Sequence, residues 1–158
     1  MPSLYVIATP IGNLEDITFR AVKILKEVSL IAAEDTRNTR KLLNAYGIET
    51  PATSYHEHNK LKKLDYILSL LENSDIALVS DAGMPGISDP GYELIVEVSK
   101  RGIPIIPIPG PSALISAAAV SGLPADKFLY LGFLPQKKGD RMKILRARKD
   151  ERATLVFY

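Results

Sequence analysis

Short apolar runs and amphipathic stretches alternate along this chain. Leu4–Ala8 is a β-rich run that ends at a Pro-Ile-Gly-Asn turn, and it predicts a first strand. Ile17, Ala21, Ile24, Leu25 and Val28 then recur at helical spacing, with Asp16 as the expected N-cap. Leu30–Ala33 predicts a second strand, and Thr36–Tyr46 a basic amphipathic helix closed by Gly47. The helical period returns over residues 59–72 through Leu61, Leu64, Ile67, Leu68 and Leu71. Ile76–Val79 reads as a buried strand, Gly91–Arg101 as a helix and Ile103–Ile108 as a strand interrupted by prolines. Pro111–Val120 reads as an Ala- and Ser-rich helix with proline at a favoured early position. Phe128–Phe133 and Thr154–Tyr158 predict two more strands around the segment 136–153. Strands that alternate with helices make an α/β fold, a mostly parallel sheet with helices on both faces. Ligands of such sheets lie beyond the carboxyl ends of the strands, so the loops after Ala8, Ala33, Val79 and Ile108 are the places to search. A strand at the last residues, with nothing to follow it, predicts that a further domain belongs after Tyr158.

At 158 residues the chain suits one compact domain better than two. No apolar run approaches the ~20 residues that span a bilayer. The N-terminus has no signal-peptide pattern, and the absence of cysteine removes disulfide and thiolate chemistry. These features predict a cytoplasmic protein with no membrane contact. The net charge of +2 hides an uneven distribution. Between Gln136 and Ala153 lie eight basic and three acidic residues, so the rest of the chain is net acidic. Gathered charge of this kind suits a polyanion, although a solvated helix at a domain edge would show it too.

The loop from Ser80 to Gly91 is the richest in candidate chemistry. Its twelve residues exceed the roughly two to six of an ordinary strand-to-helix connection. Its glycines permit close backbone approach, its prolines stiffen the path, and Asp81 follows the strand directly, where its carboxylate can meet ammonium or hydroxyl groups. Pro109–Ala113 opens into a helix whose N-terminal N–H groups favour an electron-rich group, with Ser112 as a possible cap. Thr9–Asn13 is a third turn. None of the three carries a dinucleotide or P-loop phosphate signature. Glu34 and Asp35 end a strand ahead of a basic helix. Asp35 suits an N-cap worth ~1 kcal/mol, and Arg37, Arg40 and Lys41 suit a phosphate backbone. Both histidines fall in Ser54–Asn59, where His56, Glu57 and His58 lack a zinc-site spacing, so no metal is expected.

Five of these segments, in order, carry a resemblance: Leu4–Thr18 with Thr9-Pro10-Ile11-Gly12-Asn13, Ala33-Glu34-Asp35-Thr36-Arg37, Ser54-Tyr55-His56-Glu57-His58, Val79–Gly91 with Ser80-Asp81-Ala82-Gly83, and Pro107–Ala113. Together they resemble the bacterial ribosomal RNA small-subunit methyltransferase I family, a branch of the tetrapyrrole (class III) methylase superfamily. The resemblance implies a homodimer with two α/β domains and S-adenosylmethionine (S-adenosyl-L-methionine) in the cleft between them. Residues 1–122 would form the cofactor-binding domain, and 123–158 a linker, a basic helix and the first strands of the second. Family members continue well past a segment like Thr154–Tyr158, and that part supplies some of the adenine pocket.

The implied activity is methylation of a cytidine ribose 2′-hydroxyl in small-subunit ribosomal RNA or the assembled subunit. Pro10 and Ile11 would line the cofactor cleft. Asp81, Ala82, Gly83 and Ile87 would hold the methionine and ribose parts, and Ser112 and Ala113 would reach the cofactor from the helix start. A hydroxyl nucleophile is helped by a base, for which Asp35, Glu34 and His56 are candidates. Arg37, Arg40, Lys41, Lys137, Lys138 and Arg141 are the expected RNA contacts. The competing readings are a superfamily relative that methylates a small tetrapyrrole and a non-catalytic RNA-binding module. The extended basic surface argues against the first, and the Asp81 and Pro109–Ala113 loops are superfluous to the second.

Overall fold

A computed structural model describes residues 1–56 and 59–158. They divide into two compact units, Met1–Ser112 and Ala113–Tyr158.

The first unit is built on a five-stranded parallel sheet in the order β3-β2-β4-β1-β5. Its strands are β1 (Leu4–Ile7), β2 (Leu30–Ala33), β3 (Ala52–Ser54), β4 (Ile76–Val79) and β5 (Ile105–Ile108). β2 and β4 are buried along their whole length, as continuous apolar runs in a two-sided parallel sheet should be. Alternate residues feed two cores. Ile7, Ile31, Ala33, Ala77 and Val79 meet α1 (Phe19–Glu27) and α2 (Thr36–Ala45) through Leu25, Leu42 and Leu43. Leu4, Val6, Leu30, Ile76 and Leu78 meet α3 (Lys60–Leu70) and α4 (Tyr92–Lys100) through Ile67, Leu68, Leu94 and Val98. Helices therefore cover both faces, and the β1–α1, β2–α2, β3–α3 and β4–α4 connections all lie at one end of the sheet.

Several boundaries differ from the sequence reading. The first helix begins at Phe19, and its N-cap is Thr18, whose hydroxyl accepts from Ala21 N–H at 3.1 Å. Asp16 instead closes a short 3₁₀ turn, Leu14–Asp16, capped by Asn13. Burial of Ile17 fixes where the chain enters the helix, so the cap falls on the residue after it. β3 escapes the apolar pattern because it is three half-buried residues at the sheet's edge. The β5 ladder starts at Ile105 rather than Ile103, and Pro107 is tolerated because β5 is the opposite edge, paired to β1 alone. Gly47 ends α2 with φ of +58°, as its position predicts.

The second unit holds α5 (Ala113–Val120), β6 (Phe128–Tyr130), α6 (Lys138–Ala147) and β7 (Thr154–Val156). Pro111 lies ahead of α5 rather than inside its first turn, and both expected strands shorten to three residues. β6 and β7 pair in parallel, with α6 as the crossover between them. Among the described residues no helix is long and apolar enough to cross a membrane.

Candidate functional site

The loops that follow β1, β2, β3 and β4 share the carboxyl-terminal end of the sheet. Two of them are stitched together beyond the ladder. Thr9 N–H donates to the Gly83 carbonyl at 2.9 Å, and Gly83 N–H returns a bond to the Thr9 carbonyl at 3.0 Å. The Thr9 hydroxyl also donates to the Ser80 carbonyl at 3.1 Å. This bridge needs Gly83 at φ of +77°, in the left-handed region where a side chain is strained. Pro10 and Ile11 are carried alongside, the Ile11 Cγ2 standing 3.8 Å from where a Cβ on Gly83 would lie. Ala82 and Ile87 are exposed on the same loop.

Asp81 is gripped by the start of α2. Its Oδ1 accepts from Asp35 N–H at 3.2 Å and its Oδ2 from the Asn38 amide at 2.9 Å. Its own N–H donates to Glu34 Oε2 at 3.1 Å. Lys41 Nζ in turn donates to Asn38 Oδ1 at 3.3 Å. An exposed carboxylate with both oxygens held by donors at a helix N-terminus is fixed in orientation.

Asp35 serves a different purpose. Its carboxylate caps α2 through Arg37 N–H at 2.8 Å and takes a bidentate pair from Arg37 Nε and Nη2, the shortest contact being 2.6 Å. The Arg37 guanidinium lowers the Asp35 pKa to about 2, and Arg37 is raised by the same pair. This cap is in place above the unfolded carboxyl value and is lost as pH falls through the folded one.

Asp89 moves the other way. Burial chiefly, then the charges of Glu34 and Asp81, push its carboxyl above the ordinary value, while a bond with Ser80 opposes them. Such a carboxyl is penalised when ionised, fully so above its folded value, and the penalty disappears below the unfolded value of about 3.9. Asp89→Asn is therefore expected to raise the melting temperature of the ligand-free protein by a few degrees at neutral pH. The gain should fade as the pH is lowered through 4, and a neutral-pH melting temperature that falls instead would contradict it.

Two hollows flank Asp81. A cleft of about 360 Å³ is lined by Thr9, Pro10, Leu14, Asn38, Ser80 and Asp81, among others. A second, of about 470 Å³, is lined by Glu34, Thr36, Arg37, Ser54, His56 and Asp81 with Asp35. Glu34, Asp35, His56, Pro10 and Asp81 are thus brought together at one end of the sheet. The His56 backbone is fixed by Asn59, whose Oδ1 accepts its N–H at 2.9 Å. Glu57 and His58 lie outside the described residues. Arg40 and Lys41 follow Arg37 on the exposed side of α2. Ser112 is the last residue of the first unit and Ala113 the first of α5 in the second. Within that second unit Lys137 and Lys138 are exposed at the start of α6, and Arg141 Nη1 donates to the Pro135 and Gln136 carbonyls at 3.4 and 3.3 Å. Among the described residues no group of three or more His, Asp or Glu is arranged to hold a metal.

Sequence reasoning misses Asn38 and Asp89. Asn38 sits two residues past the Glu-Asp-Thr run, and nothing in a lone asparagine announces a carboxylate partner 43 positions away. Asp89 lies within the long loop, but only the fold of that loop returns it to Ser80 and Glu34.

The model of the family Tetrapyrrole (Corrin/Porphyrin) Methylases matches residues 3–158. A curated relative from Halalkalibacterium halodurans, named ribosomal RNA small subunit methyltransferase I, is 57% identical over 99% of this chain and 54% of its own length. One of the same name from Thermotoga maritima is 54% identical over 100% of this chain and 71% of its own length. The chain thus spans little more than half the length of most curated relatives it matches. Among solved structures a diphthine synthase superposes with a TM-score of 0.78 at 13% identity, covering 100% of this chain and 64% of that one.

Proposed function

Because the chain belongs to the tetrapyrrole methylase family and, within it, to the ribosomal RNA small subunit methyltransferases I, we propose that it serves S-adenosylmethionine-dependent methylation of a cytidine ribose 2′-hydroxyl in small-subunit ribosomal RNA. The observation that carries this reading is the Asp81 carboxylate, held by Asp35 and Asn38 beside the bridged Thr9 and Gly83 loops. A hydrogen-bonded anion at a strand end suits the hydroxyls and ammonium of such a cofactor. The gathering of Glu34, Asp35, Asp81 and Asp89 is also complementary to a cationic sulfonium. The cleft beside Asp81 is of small-molecule size.

When bound, S-adenosylmethionine supplies an electrophilic methyl carbon. The chain's task is to align the acceptor oxygen with it. Pro10 and Ile11 form one wall, and Asp81 with the backbone at Ala82 and Gly83 fixes the polar parts. Ile87, Ser112 and Ala113 complete the set in this reading. Among the candidate bases, Asp35 is the weakest because Arg37 holds its proton affinity so low. Glu34 and His56 are the remaining candidates to accept the hydroxyl proton. Arg37, Arg40 and Lys41, with Lys137, Lys138 and Arg141, serve the phosphates, which makes RNA a better match than a small tetrapyrrole. In this reading residues 1–122 are the cofactor domain and 123–158 open a second α/β domain. The protein works in the cytoplasm as a homodimer, on the RNA or the assembled small subunit.

The test is methyl transfer from labelled S-adenosylmethionine to small ribosomal subunits that lack the modification. Label recovered as 2′-O-methylcytidine after nuclease digestion is expected. Label on a base, or none, contradicts the assignment.

A further inference from the structure

A second hollow lies on the far side of Asp81 from the cleft. Its walls are Glu34 and Asp81 at the ends of β2 and β4, Ser54 at the end of β3, and Thr36, Arg37 and His56. The carboxylates of Glu34, Asp35 and Asp81, the Arg37 guanidinium, two hydroxyls and an imidazole line about 470 Å³, which matches the donors, acceptors and flat base of one nucleoside.

A third depression, of about 520 Å³, adjoins it. Thr36, Arg37, Arg40, Lys41 and Asn44 line that groove, so Thr36 and Arg37 are common to both. Arg37, Arg40 and Lys41 stand at i, i+3 and i+4, on one side of α2. Arg37 pairs with Asp35 through Nε and Nη2, which leaves Nη1 for another oxyanion. A cationic stripe that runs into a polar hollow is the arrangement expected for a single strand whose backbone lies along the stripe and whose target residue turns inward.

We propose that the hollow between Glu34, Thr36, Ser54 and His56 receives one nucleoside of a single-stranded RNA, extruded from the strand that α2 holds by its phosphates. This rests on the methyltransferase reading, and Asp81 would then be the wall shared by acceptor and cofactor.

The test uses the whole chain and a fluorescein-labelled oligoribonucleotide containing one cytidine, with S-adenosylmethionine titrated in parallel. Thr36→Trp, which fills the hollow from its half-buried edge, is expected to weaken the oligonucleotide about tenfold while cofactor affinity stays within roughly twofold. Removing the cytidine base from the oligonucleotide should weaken its binding to the unaltered protein to a similar degree. Arg40→Ala should weaken the intact and the abasic strand equally and flatten the salt dependence. Cofactor binding with oligonucleotide affinity indifferent to both Thr36→Trp and base removal overturns the nucleoside pocket alone, as does failure of the unaltered protein to bind the oligonucleotide. Failure of the cofactor to bind both this chain and one extended to the relatives' full length overturns the methyltransferase reading itself.

Discussion

Replacing Asp81 by alanine is expected to weaken S-adenosylmethionine binding about a hundredfold, the loss of two charge-assisted hydrogen bonds at roughly 1.5 kcal/mol each. The carboxylate is held in place before any ligand arrives, by Asp35 N–H and the Asn38 amide, so little entropy is lost in using it. Asp81 is exposed, and its removal leaves the sheet and both cores untouched. The melting temperature of the variant should therefore stay near that of the parent. Asp81→Asn keeps the shape without the charge and should cost about tenfold. Isothermal titration calorimetry reads both variants. Unchanged cofactor affinity in Asp81→Ala would place the pocket elsewhere.

The largest effect on stability is expected at Gly91. It caps α4 with φ of +134°, and a Cβ there would lie 2.9 Å from the Leu78 Cδ2. Leu78 is 1% exposed and sits in the middle strand, so it has nowhere to retreat. Gly91→Val combines backbone strain with overpacking and should cost about 3 kcal/mol or more. For a chain of this size that is a drop of roughly 10 °C in melting temperature. A thermal melt followed by circular dichroism measures it, and a midpoint within a degree or two of the parent would contradict the account. The same glycine closes the loop that begins at Ser80, so loop and core meet at one residue.

The sequence made the centre of the sheet legible and its margins less so. β1, β2 and β4 are continuous apolar runs because both faces of a parallel sheet are covered, and that signal stands in the chain itself. The Asp35 cap and the Gly47 stop are local chemistry and could be placed by position. β3 is too short and too near the edge to show a period. The cap of α1 went to Thr18 rather than Asp16 because the burial of Ile17 is a tertiary fact.

At the site the same division holds. Asp81 was legible because it follows a strand and opens a long loop. Its partner Asn38 and the neighbour Asp89 are brought near it only by the pairing of β2 with β4 and by the fold of the loop. The grouping of Glu34, His56 and Arg37 around one hollow depends likewise on β2 and β3 being adjacent strands.

The central claim is that the loops at the carboxyl end of this sheet hold S-adenosylmethionine. Calorimetric titration of S-adenosylmethionine into the 158-residue chain tests it most directly. Saturable binding at one site per chain is the predicted result. No binding heat at any temperature tried and no protection in a thermal melt, from this chain and from one extended to the relatives' full length, would contradict it.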